Sequence, residues 1–283
     1  MASFTNFATL SYNGGTTNSN IVTGEILEAL TAVKTAVSAN YSAGDRITYA
    51  LSLVNTGTAA ITDYTVTDNL GGYTVGANTV YPLAYNAGTV RYYINGVLQA
   101  APTVTAGPPL TVTGLTVPAG GSAVLIYETT ATPVAPLATG SSITNTATIT
   151  GGGLTTSITA QATVETANSA DLTISKALSP TTVTENGQIT YTFVISNTGN
   201  TEATATGNVV VTDTFAPILR NIAVTYNGAA WTEGTNYTYN AATGVFTTLA
   251  GQIAVPAASF TQNTDGTFTV TPGTATLVIT GTV

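Results

Sequence analysis

The feature that most constrains this chain is that it repeats itself. Residues 34–57, KTAVSANYSAGDRITYALSLVNTG, align without a gap with residues 176–199, KALSPTTVTENGQITYTFVISNTG, at a constant offset of 142 residues. ITY and NTG are identical in both copies. Three more matches follow in the same order: 64–70 with 209–215, 92–98 with 224–230, and 122–129 with 274–281. Self-similarity at a long period means two copies of one folding unit. The unit reads as all-β. Thr, Val, Ile and Tyr are abundant and favour strands. The chain has 28 Gly and 11 Pro, which with Asn and Asp punctuate it at the short intervals that turns need. One run, EILEALTAVKTAV (25–37), has helical propensity. Its second half aligns with the alternating DLTISKAL, so residues 30–37 are expected to form a strand, with 26–29 as linker.

The first copy continues past residue 129 into SSITNTATITGGGLTTSITAQATVE, two alternating strands around a Gly-rich turn at Gly151–Gly153. The second copy has no counterpart in the sequence. The counterpart sits at the opposite end, as SFTNFATLSYNGGTTNSNIVTGE at residues 3–25. The two hairpins align ungapped from Ser3/Ser142 to Leu10/Ile149, with one slip later. The expected organisation is therefore an N-terminal donor hairpin (1–25), a complete module 1 (26–165) and a module 2 (170–283) that lacks its last hairpin. A sandwich without that hairpin exposes strand edges, which are templates for another chain. Strand addition by the spare hairpin would fill the gap, with Phe4, Ala8 and Leu10 pointing inward. Eight-residue strands span ~27 Å, whereas a five-residue linker reaches ~17 Å at most. With modules end to end, donation between chains is favoured over fold-back; a head-to-tail contact that does not close makes an open filament, one that closes makes a ring, and modules side by side would allow a monomer.

The chain has two lysines, Lys34 and Lys176, at equivalent repeat positions. Leu172, Ile174, Lys176 and Leu178 share one parity of an alternating strand, its apolar face. By the same test Asp68 lies with Val66 and Leu70, and Asp213 with Val209, Val211 and Phe215. Asn145 lies with Ile143, Ala147 and Ile149, and Asn6 with Phe4, Ala8 and Leu10. Each module thus aims one Lys, one Asp and one Asn at its core, module 2 taking Asn6 from the donor. Unpaired buried charge is expensive. Desolvation pushes a lysine toward its neutral, nucleophilic amine and a carboxylate toward its acid form. Attack on the Asn carboxamide would then expel ammonia and leave a Lys–Asn isopeptide bond. Lys34–Asn145 and Lys176–Asn6 are the expected crosslinks, with Asp68 and Asp213 as promoting acids. The simpler reading is a buried Lys–Asp ion pair with Asn hydrogen-bonded nearby. Asn55 and Asn197 are rival partners, although NTG reads more naturally as a turn.

The arrangement K…ITYxxxxxNTG…VTD…ITNTATI resembles the bacterial surface-protein repeat called domain of unknown function 11. It is similar to the collagen-adhesin class of Ig-like pilin and adhesin modules. The resemblance covers nearly the whole chain in permuted order. It implies an Ig-like sandwich with a Lys on the first strand, an Asn on the last and a core acid between. Lys34, Asp68 and Asn145 match in module 1, and Lys176, Asp213 and Asn6 in module 2. The departure is that Asn6 lies on another part of the chain.

Other chemistries are excluded by what is missing. There is no Cys for a disulfide and no His as general base or metal ligand. No cofactor or metal is expected, and no enzyme beyond a single-turnover crosslinking. Five basic residues against thirteen acidic ones give a net charge of −8, which argues against nucleic acid as a partner. No apolar run reaches the ~18 residues of a membrane span. No signal-peptide pattern is visible, so an extracellular location, on a cell or spore surface, leaves the export route open. Trp231, Tyr237, Tyr239 and Phe246, and the run Tyr81, Tyr85, Tyr92 and Tyr93, read as core or cross-strand pairs before sugar platforms. The expected fold is all-β, two tandem Ig-like β-sandwich modules with an N-terminal donor hairpin. The expected function is a self-assembling filament subunit whose partner is itself. The second reading is a monomeric surface adhesin with an unidentified ligand.

Overall fold

The computed structural model describes residues 2–26 and 29–283. Strands dominate, and among the described residues the one helical element is a 3-10 turn at Ala205–Gly207. Two compact units are present, Met1–Ala135 with Ser142–Glu165, and Pro136–Ser141 with Thr166–Val283. The run with helical propensity forms the strand Leu30–Ala36. Its alternating pattern buries Leu30 and Lys34 and exposes Thr31, Val33 and Thr35. Packing on a neighbouring strand outweighs intrinsic propensity here. Residues 27 and 28 of the expected linker lie outside the described residues.

Unit 1 is built on two six-stranded sheets. The path of the first runs Val97–Leu98, Arg91–Ile94, Ser122–Ala131, Arg46–Asn55, Leu30–Ala36, with Leu83–Tyr85 also on Ser122–Ala131. The second runs Thr103–Thr105, Leu110–Val117, Ile61–Asp68, Ser142–Gly151, Ile158–Thr166, Asn40–Tyr41. Tyr49, Leu51, Leu53, Val66, Leu125, Tyr127, Ile143, Ala147 and Ile149 are buried. They alternate along their strands with half-buried or exposed residues, as a sheet with one covered face requires.

Unit 2 repeats the first sheet strand for strand: Ala229–Trp231, Arg220–Tyr226, Gly273–Thr282, Gln188–Asn197, Leu172–Ser179. The registers agree as well. Lys34 sits opposite Leu51 and Lys176 opposite Phe193. Ser122 sits opposite Val54 and Thr274 opposite Ser196. The second sheet is shorter, running Tyr237–Asn240, Val245–Thr248, Thr212–Thr214. In unit 1, Asp68 faces Leu110 on one side and Ala147 on the other. In unit 2, Asp213 faces Phe246 on one side, and among the described residues no strand pairs with the other edge.

The N-terminal hairpin pairs Ala2–Asn6 with Val22–Ile26 and Thr9–Tyr12 with Gly15–Asn18. Its turn is Asn13-Gly14, both at positive φ, the pairing that a two-residue hairpin loop demands. Phe4, Phe7, Leu10, Tyr12, Ile21 and Val22 are each more than half exposed. Large side chains thus face solvent along its full length.

The NTG asparagines are structural. Asn55 Nδ2 donates to the Ala59 and Pro118 carbonyls at 2.8 and 3.1 Å, and its Oδ1 accepts from Gly57 N–H at 2.9 Å. Asn197 repeats this with Thr201, Pro256 and Gly199. Both are buried. Asn55→Ala leaves two carbonyls and an amide without partners. It is expected to destabilise unit 1 by roughly 2–3 kcal/mol, read as a lowered denaturant midpoint at unchanged slope.

Candidate functional site

Four strands of unit 1 converge on one buried polar group. Leu30–Ala36 carries Lys34 and Ile61–Asp68 carries Asp68. Arg46–Asn55 supplies Tyr49 and Ser122–Ala131 supplies Tyr127. Lys34 Nζ donates to Asp68 Oδ2 at 2.5 Å, with side chains 0% and 1% exposed. The Tyr127 hydroxyl donates to the same oxygen. Leu70 N–H donates to Asp68 Oδ1 at 2.9 Å. The ammonium lies 4.8 Å from the Tyr49 ring centroid and 5.8 Å from that of Tyr127. The two rings stack with centroids 5.8 Å apart. Apolar burial alone would expel a lysine. The carboxylate and two aromatic faces hold it in place.

Asn145 completes the cluster. Its strand, Ser142–Gly151, pairs with the Asp68 strand, with Ala147 directly opposite Asp68. Asn145 is two residues away on the same face, a diagonal neighbour. It is 0% exposed, and its carboxamide makes no hydrogen bond of ordinary geometry, its polar contacts being weaker ones to the Tyr49 and Tyr127 hydroxyls. A buried carboxamide so weakly paired is costly, by about 1–3 kcal/mol for a fully unmade bond.

Burial pushes the Lys34 amine down from 10.5 to about 8, although the Asp68 charge and hydrogen bond pull it back up. Burial, and then the charge of Asp68, raise the Tyr49 and Tyr127 hydroxyls above the ordinary tyrosine value. The cluster therefore presents an amine whose pKa burial lowers to about 8, a carboxylate hydrogen-bonded to it, and a buried carboxamide on the neighbouring strand.

Unit 2 carries the same pair in the open. Lys176 Nζ donates to Asp213 Oδ2 at 2.5 Å, but the side chains are 40% and 18% exposed. Lys176 lies over Tyr191 at 4.4 Å and near Phe193 and Phe215. Flanking it on the same strand face, Ile174 and Leu178 are 55% and 37% exposed. Tyr127 is replaced by Ile279 at the matching place, so Asp213 has no tyrosine hydroxyl partner there. Asn6, Phe4, Ala8 and Leu10 all lie on the exposed hairpin. The structure thus assembles Lys34, Asp68 and Asn145 in one core and leaves Lys176 and Asp213 paired and uncovered. Tyr49 and Tyr127 escaped the sequence reading. Their signal was inward parity, on ITY and on SAVLIYET, and only the fold shows that both rings meet one lysine.

The aromatic run of unit 2 is largely core: Tyr237 and Phe246 are buried, and Trp231 stacks on Tyr226 at 4.8 Å. Among the described residues no three Asp or Glu side chains converge as a metal site needs, and no helix is long and apolar enough to cross a membrane.

No protein-family model matches the chain, and no curated protein matches it in sequence. Among solved structures, BcpA, the major pilin subunit of Bacillus cereus, is 14% identical. That match covers 96% of this chain and 73% of that one, with a TM-score of 0.35. RrgB, the pilus backbone of Streptococcus pneumoniae, is 13% identical over 86% of this chain and 55% of that one, with a TM-score of 0.36. The N-terminal domain of the Streptococcus gordonii adhesin Sgo0707 is 15% identical over 47% of this chain, with a TM-score of 0.35. The matched part is 31% of that structure's length. At such values no residue role passes from those proteins to this chain.

The depressed lysine has a measurable consequence. Between pH 8 and 10.5 the unfolded chain holds a proton on Lys34 that the folded unit has lost, so stability rises with pH in that window. In an Asn145→Ala chain, which keeps the amine free, the denaturant midpoint of unit 1 is expected to climb from pH 8 to about 9.5. Higher still, buried tyrosines with raised pKa reverse the trend. A flat profile would show that Lys34 keeps an ordinary pKa in the fold.

Proposed function

We propose that this chain is the subunit of a bacterial surface filament that assembles head to tail. The N-terminal hairpin of one copy fills the open side of unit 2 in the next. The observation that carries this reading is the contrast between the two Lys–Asp pairs. In unit 1 the pair is sealed by the hairpin Ser142–Gly151 and Ile158–Thr166. In unit 2 the pair is exposed beside a strand edge that has no partner among the described residues. The same chain holds a solvent-exposed hairpin with the matching Ser-x-x-Asn pattern. An exposed edge flanked by apolar residues favours strand addition, where backbone hydrogen bonds supply affinity and alternate side chains supply fit.

Two covalent bonds lock the assembly, Lys34–Asn145 inside each subunit and Lys176–Asn6 between subunits. Asp68, or Asp213, takes a proton from the lysine ammonium. The neutral Nζ attacks the Asn Cγ, and the tetrahedral oxygen is stabilised by the acid proton. The Nζ–Cγ bond forms and the Cγ–Nδ2 bond breaks. The attacking nitrogen gives up a second proton as it becomes the amide; both protons leave with the amide nitrogen as ammonium, and the aspartate carboxylate is regenerated. One amine and one carboxamide become one secondary amide, with no net oxidation and no cofactor. The reaction removes the two costs of the unreacted core, a buried ammonium and a weakly paired carboxamide.

Purified protein boiled in denaturant is expected to run as a ladder of multimers that collapses to monomer in Asn6→Ala. The Asn6→Ala monomer should still lack the mass of one ammonia, and Asn145→Ala added to it should restore that mass. A single monomer band for the unaltered chain would exclude the intermolecular bond. A full-mass Asn6→Ala monomer would exclude the internal one.

A further inference from the structure

The donation reading leaves open how the hairpin lies on its acceptor, and the crosslink depends on that. Side chains alternate along a strand, so a slip of one residue turns Asn6 to the solvent face. A slip of two moves it about 7 Å along the strand, out of reach of a lysine held by Asp213. One register alone puts the carboxamide where Asn145 stands in unit 1.

The pairings within the two hairpins and around the two aspartate strands determine that register. Within unit 1 the sealing hairpin pairs Ser142 with Glu165, Ile143 with Val164 and Asn145 with Ala162. The N-terminal hairpin pairs Ser3 with Glu25, Phe4 with Gly24 and Asn6 with Val22. The internal registers are the same through the asparagine, and one extra residue enters the return strand before Thr9 meets Asn18. On the acceptor side, Asp68 and Asp213 hold matching places, opposite Leu110 and Phe246. In unit 1 the two meet with Ala147 opposite Asp68, Thr148 opposite Thr67 and Ile149 opposite Val66.

Resting on the donation reading, we propose that the hairpin of one copy adds to unit 2 of a second copy in this single register, with Ala8 opposite Asp213, Thr9 opposite Thr212 and Leu10 opposite Val211. Asn6 then comes over Lys176, and Leu10 enters the core. Phe4 takes the place of Ile143. That residue packs close enough to the chain that a Cβ added at Gly71 would lie 2.6 Å from its Cγ2. The larger ring is accommodated within the hairpin itself. Gly24 stands where unit 1 has the buried Val164, and the Phe4 ring lies over it, so that a Cβ at Gly24 would collide with the ring. The donor has exchanged an Ile/Val pair for a Phe/Gly pair and kept the fit. On the acceptor, residues 206–211 form no strand where the unit 1 equivalent runs unbroken as Ile61–Asp68. Pairing with Thr9–Tyr12 would extend Thr212–Thr214 into them.

The absence of cysteine makes disulfide trapping a clean test. Thr9, Thr212 and Val210 are all exposed. Two chains are made in an Asn6→Ala background, one with Thr9→Cys and Thr212→Cys, the other with Thr9→Cys and Val210→Cys. Both are oxidised in air, run without reductant and mapped by mass spectrometry. Directly opposed residues lie within disulfide reach, and residues two places off do not. The expected result is multimers from the first chain, linked by a disulfide between positions 9 and 212. The second chain should give roughly tenfold less product linked between positions 9 and 210. Equal or greater product from the second chain overturns the register while leaving donation standing. A disulfide between positions 9 and 212 found only within monomers overturns donation to a second copy. Absence of both disulfides overturns the register where electron micrographs still show filaments, and the donation reading as well where they show none.

Discussion

Everything at the candidate site follows from placing a lysine on the inward face of a sandwich strand. Lys34 takes an apolar position in the core, with its side chain 0% exposed to solvent that could hold an ammonium. The surroundings are what make this tolerable. Asp68 provides the counter-charge, Tyr127 and the Leu70 amide share the carboxylate, and two stacked rings turn their faces to the cation. Such a pair is weak evidence for stability, because desolvating both ions costs about as much as their attraction returns. On the proposed reading, a core that keeps it and sets a buried carboxamide on the neighbouring strand is organised for a reaction as well as for packing.

The two units share the design of the first sheet and differ in the second. Their first sheets agree in order and register, and their lysines and aspartates meet at the same separation. They differ on the far side of the aspartate strand. With a partner on each side, that strand in unit 1 runs eight residues, Ile61–Asp68. With one partner, its equivalent in unit 2 is the three-residue Thr212–Thr214. A strand edge without a ladder loses hydrogen bonds it would otherwise make, and its ends relax into turns. Lys176, Ile174 and Leu178 are exposed on the same side of the unit 2 strand. Under the filament reading, one insertion would restore the edge, the burial and the reactivity together.

What could be read from the residues alone was whatever depends on period and repetition. The alternation of apolar positions identified strands and faces, including the strand at Leu30–Ala36 that helical propensity disguised. The offset between copies placed Lys34 with Lys176 and Asp68 with Asp213, because equivalent positions in a repeat take equivalent places in the fold. The turn role of Asn55 and Asn197 was legible from NTG for the same reason. Contacts between strands distant in sequence were not legible. Which side of the aspartate strand is open, the stacking of Tyr49 on Tyr127, and the burial of Asn145 beside their hydroxyls depend on sheet order, which periodicity does not encode. Nor could parity alone tell a sealed lysine from an exposed one. Lys34 and Lys176 sit at equivalent places on equivalent strands, yet one is sealed and the other exposed, and the aspartate strand beside them has partners on both sides in unit 1 and, among the described residues, on one side in unit 2.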